Sequence, residues 1–254
     1  MTAVLWHIEV SHYNEKARWA LDYKGIAYAL KVPMPGLHGV RALILTRGAQ
    51  RRLPILQLDG RAIGDSTAII AALEAHTPAP ALYPADPADR VRALELEDFF
   101  DERLAPELRR YMWHYTLQDI DTVVDSLFTR PAPARERMLR MTAPMVRPLV
   151  RRDYGVDGAT VGEARAKVVA AMDRLEAELG PSGHLVGDTF SVADLTAAAL
   201  FTPLLAPPGR PYLPRSIPPE AAELRDELMA RPGGAWVEEM YRRHRGSHRI
   251  PVAA

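Results

Sequence analysis

The sequence has 254 residues, of which 48% are hydrophobic and 25% are charged, as expected for a globular protein with one large or two smaller domains. Lysine plus arginine equals aspartate plus glutamate at 32 each, so the net charge gives no reason to expect nucleic acid or an anionic membrane as a partner. The absence of cysteine excludes disulfides, a thiolate nucleophile and cysteine-ligated metals supplied by the chain.

The first part of the chain alternates between strand and helix patterns. Apolar residues at every second position from Val4 to Val10 predict a strand, and the helical spacing that follows predicts a helix ended by Gly25. Residues 28–32 predict a second strand, and residues 42–45 predict a short, weak helix.

A β-hairpin is predicted next. Residues 55–58 and 61–64 flank an Asp-Gly dipeptide, which is typical of a type I′ turn. Asp65 and Ser66 lie at or beside the N-cap of the helix that follows, so their oxygens and the free N–H groups of its first turn converge on one spot. An anionic ligand fits such a spot.

A domain boundary is predicted after this helix. Residues 77–87 contain four prolines and predict a stiff linker between a mixed α/β domain at residues 1–76 and an all-helical domain at residues 88–254. Pro106 is expected to kink the first long helix of the second domain, and the prolines between residues 131 and 148 predict short helices separated by breaks.

Two further segments of the second domain have structural interpretations. Ser191, followed three residues later by Asp194, predicts a helix start of the capping-box type rather than a chemical site. A basic run near the C-terminus is expected to be a solvated tail and comprises Arg242, Arg243, His244, Arg245, His248 and Arg249.

Three motifs of the first domain resemble the glutathione S-transferase family. They are residues 10–21 (Val-Ser-His-Tyr-Asn-Glu-Lys-Ala-Arg-Trp-Ala-Leu), the pair Leu53-Pro54 and the pair Asp65-Ser66. The resemblance covers most of the chain and implies a thioredoxin-like N-terminal domain, an all-α C-terminal domain and a homodimer. It also implies that Pro54 is cis, that Leu53 binds the cysteinyl part of glutathione, and that Asp65 and Ser66 bind its γ-glutamyl end.

The chemistry that this family performs requires a bound thiol to ionise. A thiol of ordinary pKa is only about 3% thiolate at neutral pH. Ser11 lies between the first strand and the first helix, where its hydroxyl and free N–H groups can meet a sulfur, and the resemblance to serine-type members implies the same position. Asn14 or Tyr13 is the alternative donor. Ser11 also has a simpler interpretation, which is that it only caps the helix.

The carboxylate end of the thiol requires cations. Arg52, together with Arg51 and Gln50, precedes the Leu-Pro pair and can meet the glycyl carboxylate of glutathione, while His38 is a weaker candidate. Residues 46–52 depart from the pattern common in the family, so another low-molecular-weight thiol is an alternative to glutathione as the co-substrate.

The predicted function is a glutathione transferase that directs a bound thiolate at a hydrophobic electrophile, as in detoxification. Tyr111 and Tyr115 share a helix face and are the candidates for binding the electrophile. One alternative is a non-catalytic binding or carrier protein of the same fold. The other is an enzyme of a different class that uses Glu9, His7 or His12 as acid and base.

The remaining expectations concern location and partners. No apolar run approaches the roughly 20 residues of a membrane span, and the first residues lack the pattern of a signal peptide, so a cytoplasmic protein is expected. Neither a metal, a membrane nor a nucleic acid is expected as a partner.

Overall fold

A computed structural model of the protein describes residues 3–33 and 37–246. The first domain is a four-stranded mixed sheet flanked by helices, in the strand order β2-β1-β3-β4. Its elements, in chain order, are β1 (Ala3–Trp6), α1 (His12–Tyr23), β2 (Ala29–Lys31), α2 (His38–Leu45), β3 (Ile55–Leu58), β4 (Arg61–Gly64) and α3 (Ser66–His76). This arrangement confirms the predicted thioredoxin-like fold of the N-terminal domain.

The sheet is built around β1, which pairs with β2 in parallel and with β3 in antiparallel orientation. Leu5 of β1 lies opposite Leu56 of β3, and both side chains are fully buried. Asp59 and Gly60, between β3 and β4, have φ values of 47° and 83°, as a type I′ turn requires. The hairpin prediction is therefore confirmed, and the hairpin leads directly into the N-terminus of α3.

The second domain is helical throughout its described part, which confirms the predicted all-α class. Its elements are α4 (Pro87–Phe99), a π-helical turn (Phe100–Leu104), α5 (Ala105–Thr116), α6 (Ile120–Leu127), α7 (Pro133–Asp153), α8 (Val161–Glu178), α9 (Val192–Leu200), α10 (Thr202–Leu205), α11 (Pro219–Met229), α12 (Pro232–Met240) and a second π-helical turn (Tyr241–Arg245).

The prolines of this domain act differently at two places. The helix changes to a π-helical turn directly before Pro106, which occupies the first turn of α5. The prediction of short, broken helices between residues 131 and 148 is wrong, because α7 runs unbroken with Pro144 and Pro148 inside it. Both prolines are exposed, so water can bind the carbonyl groups that lose a backbone donor.

Buried charges on α1 join the two domains. Lys16 Nζ lies 2.9 Å from a carboxylate oxygen of Glu97 and 2.8 Å from one of Asp101, both on the first long helix of the second domain. Glu15 is fully buried and pairs with Arg18 of its own helix and with Arg245 of the C-terminal π-helical turn, at 2.9 and 2.7 Å. Breaking such a pair leaves an uncompensated buried charge, so these contacts fix the docking of the domains.

The prediction of a solvated basic tail is wrong for Arg245, whose side chain is 1% exposed within this network. His244 also contacts the interior, because its carbonyl accepts a hydrogen bond from Trp19 Nε1 at 3.1 Å and its ring stacks on Phe190. Arg242 and Arg243 are exposed, as expected, and pair with Glu239. His248 and Arg249 lie outside the described residues.

The described residues contain neither a membrane-spanning helix nor a cluster of metal-binding side chains. Across residues 3–33 and 37–246, no helix is long and apolar enough to cross a membrane. Within the same residues, no group of three or more histidine, aspartate or glutamate side chains is arranged to hold a metal ion.

Candidate functional site

A cavity of about 890 Å³ lies between the two domains. One side consists of the loop after β1, the loop before β3 and the start of α3. The other side consists mainly of residues from α5, α6 and α7. This size is within the range of small-molecule sites.

Ser11 lies at the N-cap of α1 and lines the cavity. Its backbone is extended, with φ −73° and ψ 131°, and its carbonyl accepts the first helical hydrogen bond from Glu15 N at 2.9 Å. Its hydroxyl makes no capping hydrogen bond within the described part of the chain. The hydroxyl and the unpaired N–H groups of the first turn therefore remain available to a ligand.

The neighbours of Ser11 are engaged in other ways. Asn14 is fully buried, does not line the cavity, and accepts a hydrogen bond from Ile8 N at 3.2 Å. Tyr13 lines the cavity, but its hydroxyl donates to the carbonyl of Asp101 at 3.0 Å, and burial raises the pKa of this phenol. Of the three candidate donors, Ser11 is thus the one that lines the cavity and whose side chain makes no capping or other hydrogen bond recorded among the described residues.

His12 is buried at the cavity wall in a positive environment. Burial, followed by the charges of Arg109 and Arg210, lowers the pKa of His12 well below its ordinary value. Arg210 is itself 4% exposed, and its guanidinium donates to the carbonyls of Thr202 and Val10. Burial, the largest cause of this shift, disfavours any charge, but the positive charges of Arg109 and Arg210 also favour an anion bound nearby.

The Leu53-Pro54 peptide bond is cis, as the family resemblance implies, and both residues line the cavity. The side-chain amide of Gln50 donates to the carbonyls of Arg52 at 2.8 Å and Pro54 at 3.3 Å. This amide occupies the space beside Gly64, where a Cβ atom would meet it at 2.3 Å. Gln50 therefore ties the loop to the hairpin, a structural role that sequence reasoning did not assign to it.

Asp65 and Ser66 also line the cavity at the start of α3. Asp65 is the N-cap residue and accepts hydrogen bonds from Thr67 N at 2.9 Å and Ala68 N at 3.1 Å. Its φ of 72° is a left-handed conformation that is costly for a residue other than glycine. Ser66 is 1% exposed, and its hydroxyl has no hydrogen-bond partner within the described residues.

The residues predicted to bind the carboxylate end of the thiol lie on the side of the cavity that the first domain forms. Arg51, Arg52 and His38 all line it. Arg52 Nη2 is 3.5 Å from Asp153 Oδ2 at the end of α7, but both side chains are exposed, so this pair is weak. Burial lowers the pKa of His38, and Asp153 partly opposes this effect.

Tyr111 and Tyr115 do not line the cavity. Tyr111 is 2% exposed, packs edge-to-face on Tyr115, and donates its hydroxyl to the carbonyl of Glu220 at 3.2 Å. The face of α5 toward the cavity instead carries Arg109, Met112 and Trp113. The prediction therefore placed the wrong face of α5 on the cavity. The face that carries the two tyrosines packs into the core of the helical domain instead.

Two of the three residues of the acid–base alternative, Glu9 and His12, line the cavity, and His7 does not. His7 is fully buried outside it, with Nδ1 2.8 Å from Arg18 Nη1, and burial together with Arg18 lowers the pKa of His7 to about 3. Glu9 lines the cavity and accepts a hydrogen bond from the hydroxyl of Thr129 at 3.0 Å. His7 and His12 are consequently neutral at neutral pH, and His7 has no access to a ligand in this cavity.

Comparison with known proteins identifies the family. The family model described as "Glutathione S-transferase, N-terminal domain" matches residues 5–81, and the one described as "Glutathione S-transferase, C-terminal domain" matches residues 133–228. Together these matches cover more than half of the chain. The chain belongs to the glutathione S-transferase family.

Solved structures share its fold. A glutathione S-transferase from Xanthobacter autotrophicus is 20% identical with a TM-score of 0.62, and covers 98% of this chain and 97% of its own. The β-etherase LigF from a Sphingobium strain is 23% identical with a TM-score of 0.61, at 95% and 99% coverage. A glutathione S-transferase from Methylobacterium radiotolerans, in complex with glutathione sulfonate, is 22% identical with a TM-score of 0.56, at 92% and 93% coverage. The comparison with curated proteins gives no match.

Proposed function

We propose that this protein binds glutathione or a related low-molecular-weight thiol, stabilises it as a thiolate at Ser11, and directs the sulfur at a hydrophobic electrophile. The observation that carries the proposal is the position of Ser11, a helix N-cap residue in the cavity with no capping hydrogen bond in the described part of the chain. A serine hydroxyl at a helix N-terminus stabilises an adjacent anion.

The electrostatics around Ser11 favour the thiolate. The N-terminus of α1 contributes a partial positive charge. Arg210, buried and bonded to the carbonyl of Val10, adds a full positive charge directly behind the same loop. Lowering the pKa of a thiol by about two units requires roughly 2.7 kcal/mol of preferential stabilisation of the anion, which these groups together can supply.

The peptide part of the thiol is proposed to bind the N-terminal domain. Leu53, in front of the cis proline, offers its backbone to the cysteinyl unit, and Asp65 with Ser66 binds the γ-glutamyl end. The unpaired hydroxyl of Ser66 and the left-handed backbone of Asp65 support this role, because such costs persist where a ligand repays them. Arg52 binds the opposite carboxylate in this proposal.

The identity of the thiol rests on the family and its neighbours. One neighbour carries glutathione sulfonate, which favours glutathione here. The loop before the cis proline is held by Gln50 and carries adjacent arginines at positions 51 and 52, so a different thiol with an anionic end is the second candidate.

Calorimetric titration with glutathione and with a second cellular thiol tests this proposal. The pH dependence of the thiolate absorbance of the bound ligand is then measured. Binding with a depressed thiol pKa is expected, and Ser11→Ala should raise that pKa and slow turnover with little loss of affinity. Asp65→Ala combined with Ser66→Ala should mainly weaken binding. Binding without any depression of the thiol pKa would instead support a non-catalytic carrier.

We also propose that the protein is a cytoplasmic homodimer. Helix α4 exposes Val91 and Leu94, with 59% and 38% of their surfaces accessible, and adjacent apolar side chains on an exposed helix favour a subunit contact. Sedimentation velocity of the wild type and of Val91→Glu tests this. A wild type that sediments as a monomer at all concentrations contradicts the proposal.

A further inference from the structure

The helical side of the cavity combines an apolar wall with arginines that form no ion pair with a carboxylate among the described residues. The apolar wall includes Met112, Trp113, Leu117, Leu139, Val146 and Val150. The arginines on the same side are Arg109, Arg135, Arg147 and Arg210. None of these four makes a salt bridge with another residue that the structure describes, although most arginines of the second domain do.

The carboxylates of the cavity wall do not neutralise these arginines. Asp101 accepts from Lys16 at 2.8 Å, Asp65 caps α3, and Glu9 accepts from Thr129. Glu102 is exposed, and among the described residues it forms no ion pair with any of the four arginines. The apolar half of the cavity therefore carries an excess of positive charge.

Arg109 is the arginine best placed to bind a ligand. Its guanidinium carbon lies 4.4 Å from the ring centre of Tyr154 and 5.9 Å from that of Tyr13. Its Nε is buried and has no hydrogen-bond partner within residues 3–33 and 37–246. Stacking on an aromatic ring holds a guanidinium in one plane and leaves its N–H donors unused.

The other three arginines on this side of the cavity either donate hydrogen bonds to backbone carbonyls or are exposed. Arg147 donates to the carbonyls of Leu117 and Gln118 at the end of α5. Arg210 donates to the carbonyls of Thr202 and Val10, behind the loop that carries Ser11. Arg135 is exposed at the start of α7. Arg109 thus combines partial burial, a position over the ring of Tyr154 and a guanidinium that forms no salt bridge with any residue the structure describes. A guanidinium in this situation can recognise a carboxylate.

We propose that the electrophilic substrate is an amphiphilic organic anion, with a ring-sized apolar body against Met112 and Trp113 and a carboxylate paired with Arg109. This inference rests on the proposed function for the identity of the second substrate, but the anion site itself does not depend on thiol chemistry. A neutral hydrophobic substrate would leave the guanidinium of Arg109 desolvated and without a counter-charge, which is unfavourable.

The corresponding reaction can be written for a simple probe, an aryl chloride that carries a carboxylate. The thiolate sulfur attacks the ring carbon that bears chlorine, the carbon–sulfur bond forms, and the carbon–chlorine bond breaks. Chloride leaves with the bonding electron pair, and the thiol proton passes to solvent. No oxidant or reductant is required.

Direct binding is the primary test. Dinitrobenzoate and dinitrobenzamide have the same ring and differ in charge. Neither carries a chlorine atom that a thiol could displace, so they report binding alone. Calorimetric titration of the wild-type protein is expected to give about tenfold tighter binding of the benzoate, and tenfold corresponds to about 1.4 kcal/mol. Equal affinities for the two probes would overturn the proposal.

Arg109→Gln should weaken benzoate binding about tenfold and change benzamide binding less than about twofold, with Arg109→Lys intermediate. Arg103→Gln is the matched control, because it removes the same charge from the same long helix at an exposed position outside the cavity wall. If Arg109→Gln weakens both probes equally, Arg109 acts by packing on Tyr154 and the proposal is wrong. Circular dichroism and thermal melting establish that each variant is folded.

Turnover separates this inference from the proposed function. With the thiol that binds, chlorodinitrobenzoate should show a KM about tenfold below that of chlorodinitrobenzamide, and Arg109→Gln should remove this difference while kcat changes little. If no thiol binds but the benzoate still binds selectively through Arg109, the transferase proposal fails and the anion site stands. If the thiol binds and the two aryl chlorides, benzoate and benzamide, react with equal KM, the anion site fails and the transferase proposal stands.

Discussion

Helices α1 and α9 each have a serine at the N-cap position, Ser11 and Ser191, and the two serines are used differently. Ser191 caps α9 with a complete capping box, in which its hydroxyl accepts from Ala193 N and Asp194 accepts from Ser191 N at 2.8 Å. Ser11 caps α1 by position only, since its hydroxyl makes no capping hydrogen bond in the described residues. An N-cap serine therefore contributes to folding where its hydroxyl is paired and is available for chemistry where it is not.

The third helical residue explains the difference. In α9 this position holds Asp194, whose two oxygens accept from Ser191 N, the Ser191 hydroxyl and Leu185 N. In α1 it holds Asn14. The side-chain oxygen of Asn14 accepts a hydrogen bond from the backbone N–H of Ile8, at 3.2 Å, and not from that of Ser11. Asn14 thereby orders the loop before the helix and leaves the capping position open toward the cavity.

The largest effect is expected from removing the acid of the capping box. Asp194→Ala leaves two buried N–H groups and one hydroxyl without their acceptor, so the free energy of unfolding should fall by about 3 to 5 kcal/mol. Asn14→Ala removes a single accepted bond and should cost about 1 to 2 kcal/mol. Urea unfolding measures both. Equal losses would mean that the start of α1 is held as tightly as the start of α9.

A pH effect of intermediate size is expected from the histidines beside α1. Burial and Arg18 lower the pKa of His7 from 6.5 to about 3, and His12 shifts in the same direction through burial, Arg109 and Arg210. The unfolded chain binds these protons at a higher pH than the folded chain does. The stability that depends on these neutral histidines is therefore complete above pH 6.5 and is lost as the pH falls toward 3.

The slope of this loss can be assigned by substitution. Between about pH 6 and pH 4.5, these two histidines together should lower the free energy of unfolding by roughly 2 to 2.7 kcal/mol per pH unit, because each unfolded imidazole binds most of one proton there. His7→Asn keeps an acceptor near Arg18 and removes the titrating ring, so it should reduce the slope by about half. His76→Asn, at an exposed position, is the control. An unchanged slope in His7→Asn would show that His7 is not held neutral in the folded protein.

Local sequence patterns predicted the fold and many of the residues that the first domain contributes to the cavity. The Asp59-Gly60 turn, the helix start at Asp65 and the Ser191–Asp194 box all depend on residues a few positions apart, so the sequence alone carries their signal. The family resemblance supplied the cis bond before Pro54.

Features that depend on distant parts of the chain were not predictable in this way. Arg245 pairs with Glu15 across 230 positions, which no local pattern distinguishes from a solvated basic tail. The face of α5 that borders the cavity depends on which neighbours cover the other face, and so the sequence predicts Tyr111 on the cavity wall where the structure has Arg109. Cavity-lining arginines that form no salt bridge within the described residues can be recognised only once the ion pairs of the other arginines are known.

A smaller loss of stability is expected when Ser191, the N-cap residue of α9, is replaced. Its hydroxyl is buried, accepts from Ala193 N at 3.2 Å, and donates to Asp194 at 3.0 Å. Ser191→Ala should therefore lower the free energy of unfolding by about 1 kcal/mol, and the loss should be non-additive with that of Asp194→Ala, because the two side chains share one network. A double-mutant cycle measures this, and full additivity would argue against a shared network.

The smallest effect on stability is expected at Ser11. Replacing a capping serine by alanine typically costs about 1 kcal/mol, but most of that cost is the lost capping bond, which Ser11 does not make in the described structure. Ser11→Ala should thus change the free energy of unfolding by less than about 0.5 kcal/mol. Urea midpoints measured in parallel with Ser191→Ala give the comparison directly. If both substitutions cost the same, the Ser11 hydroxyl caps α1 in solution, and it would have to give up that bond before it could stabilise a thiolate.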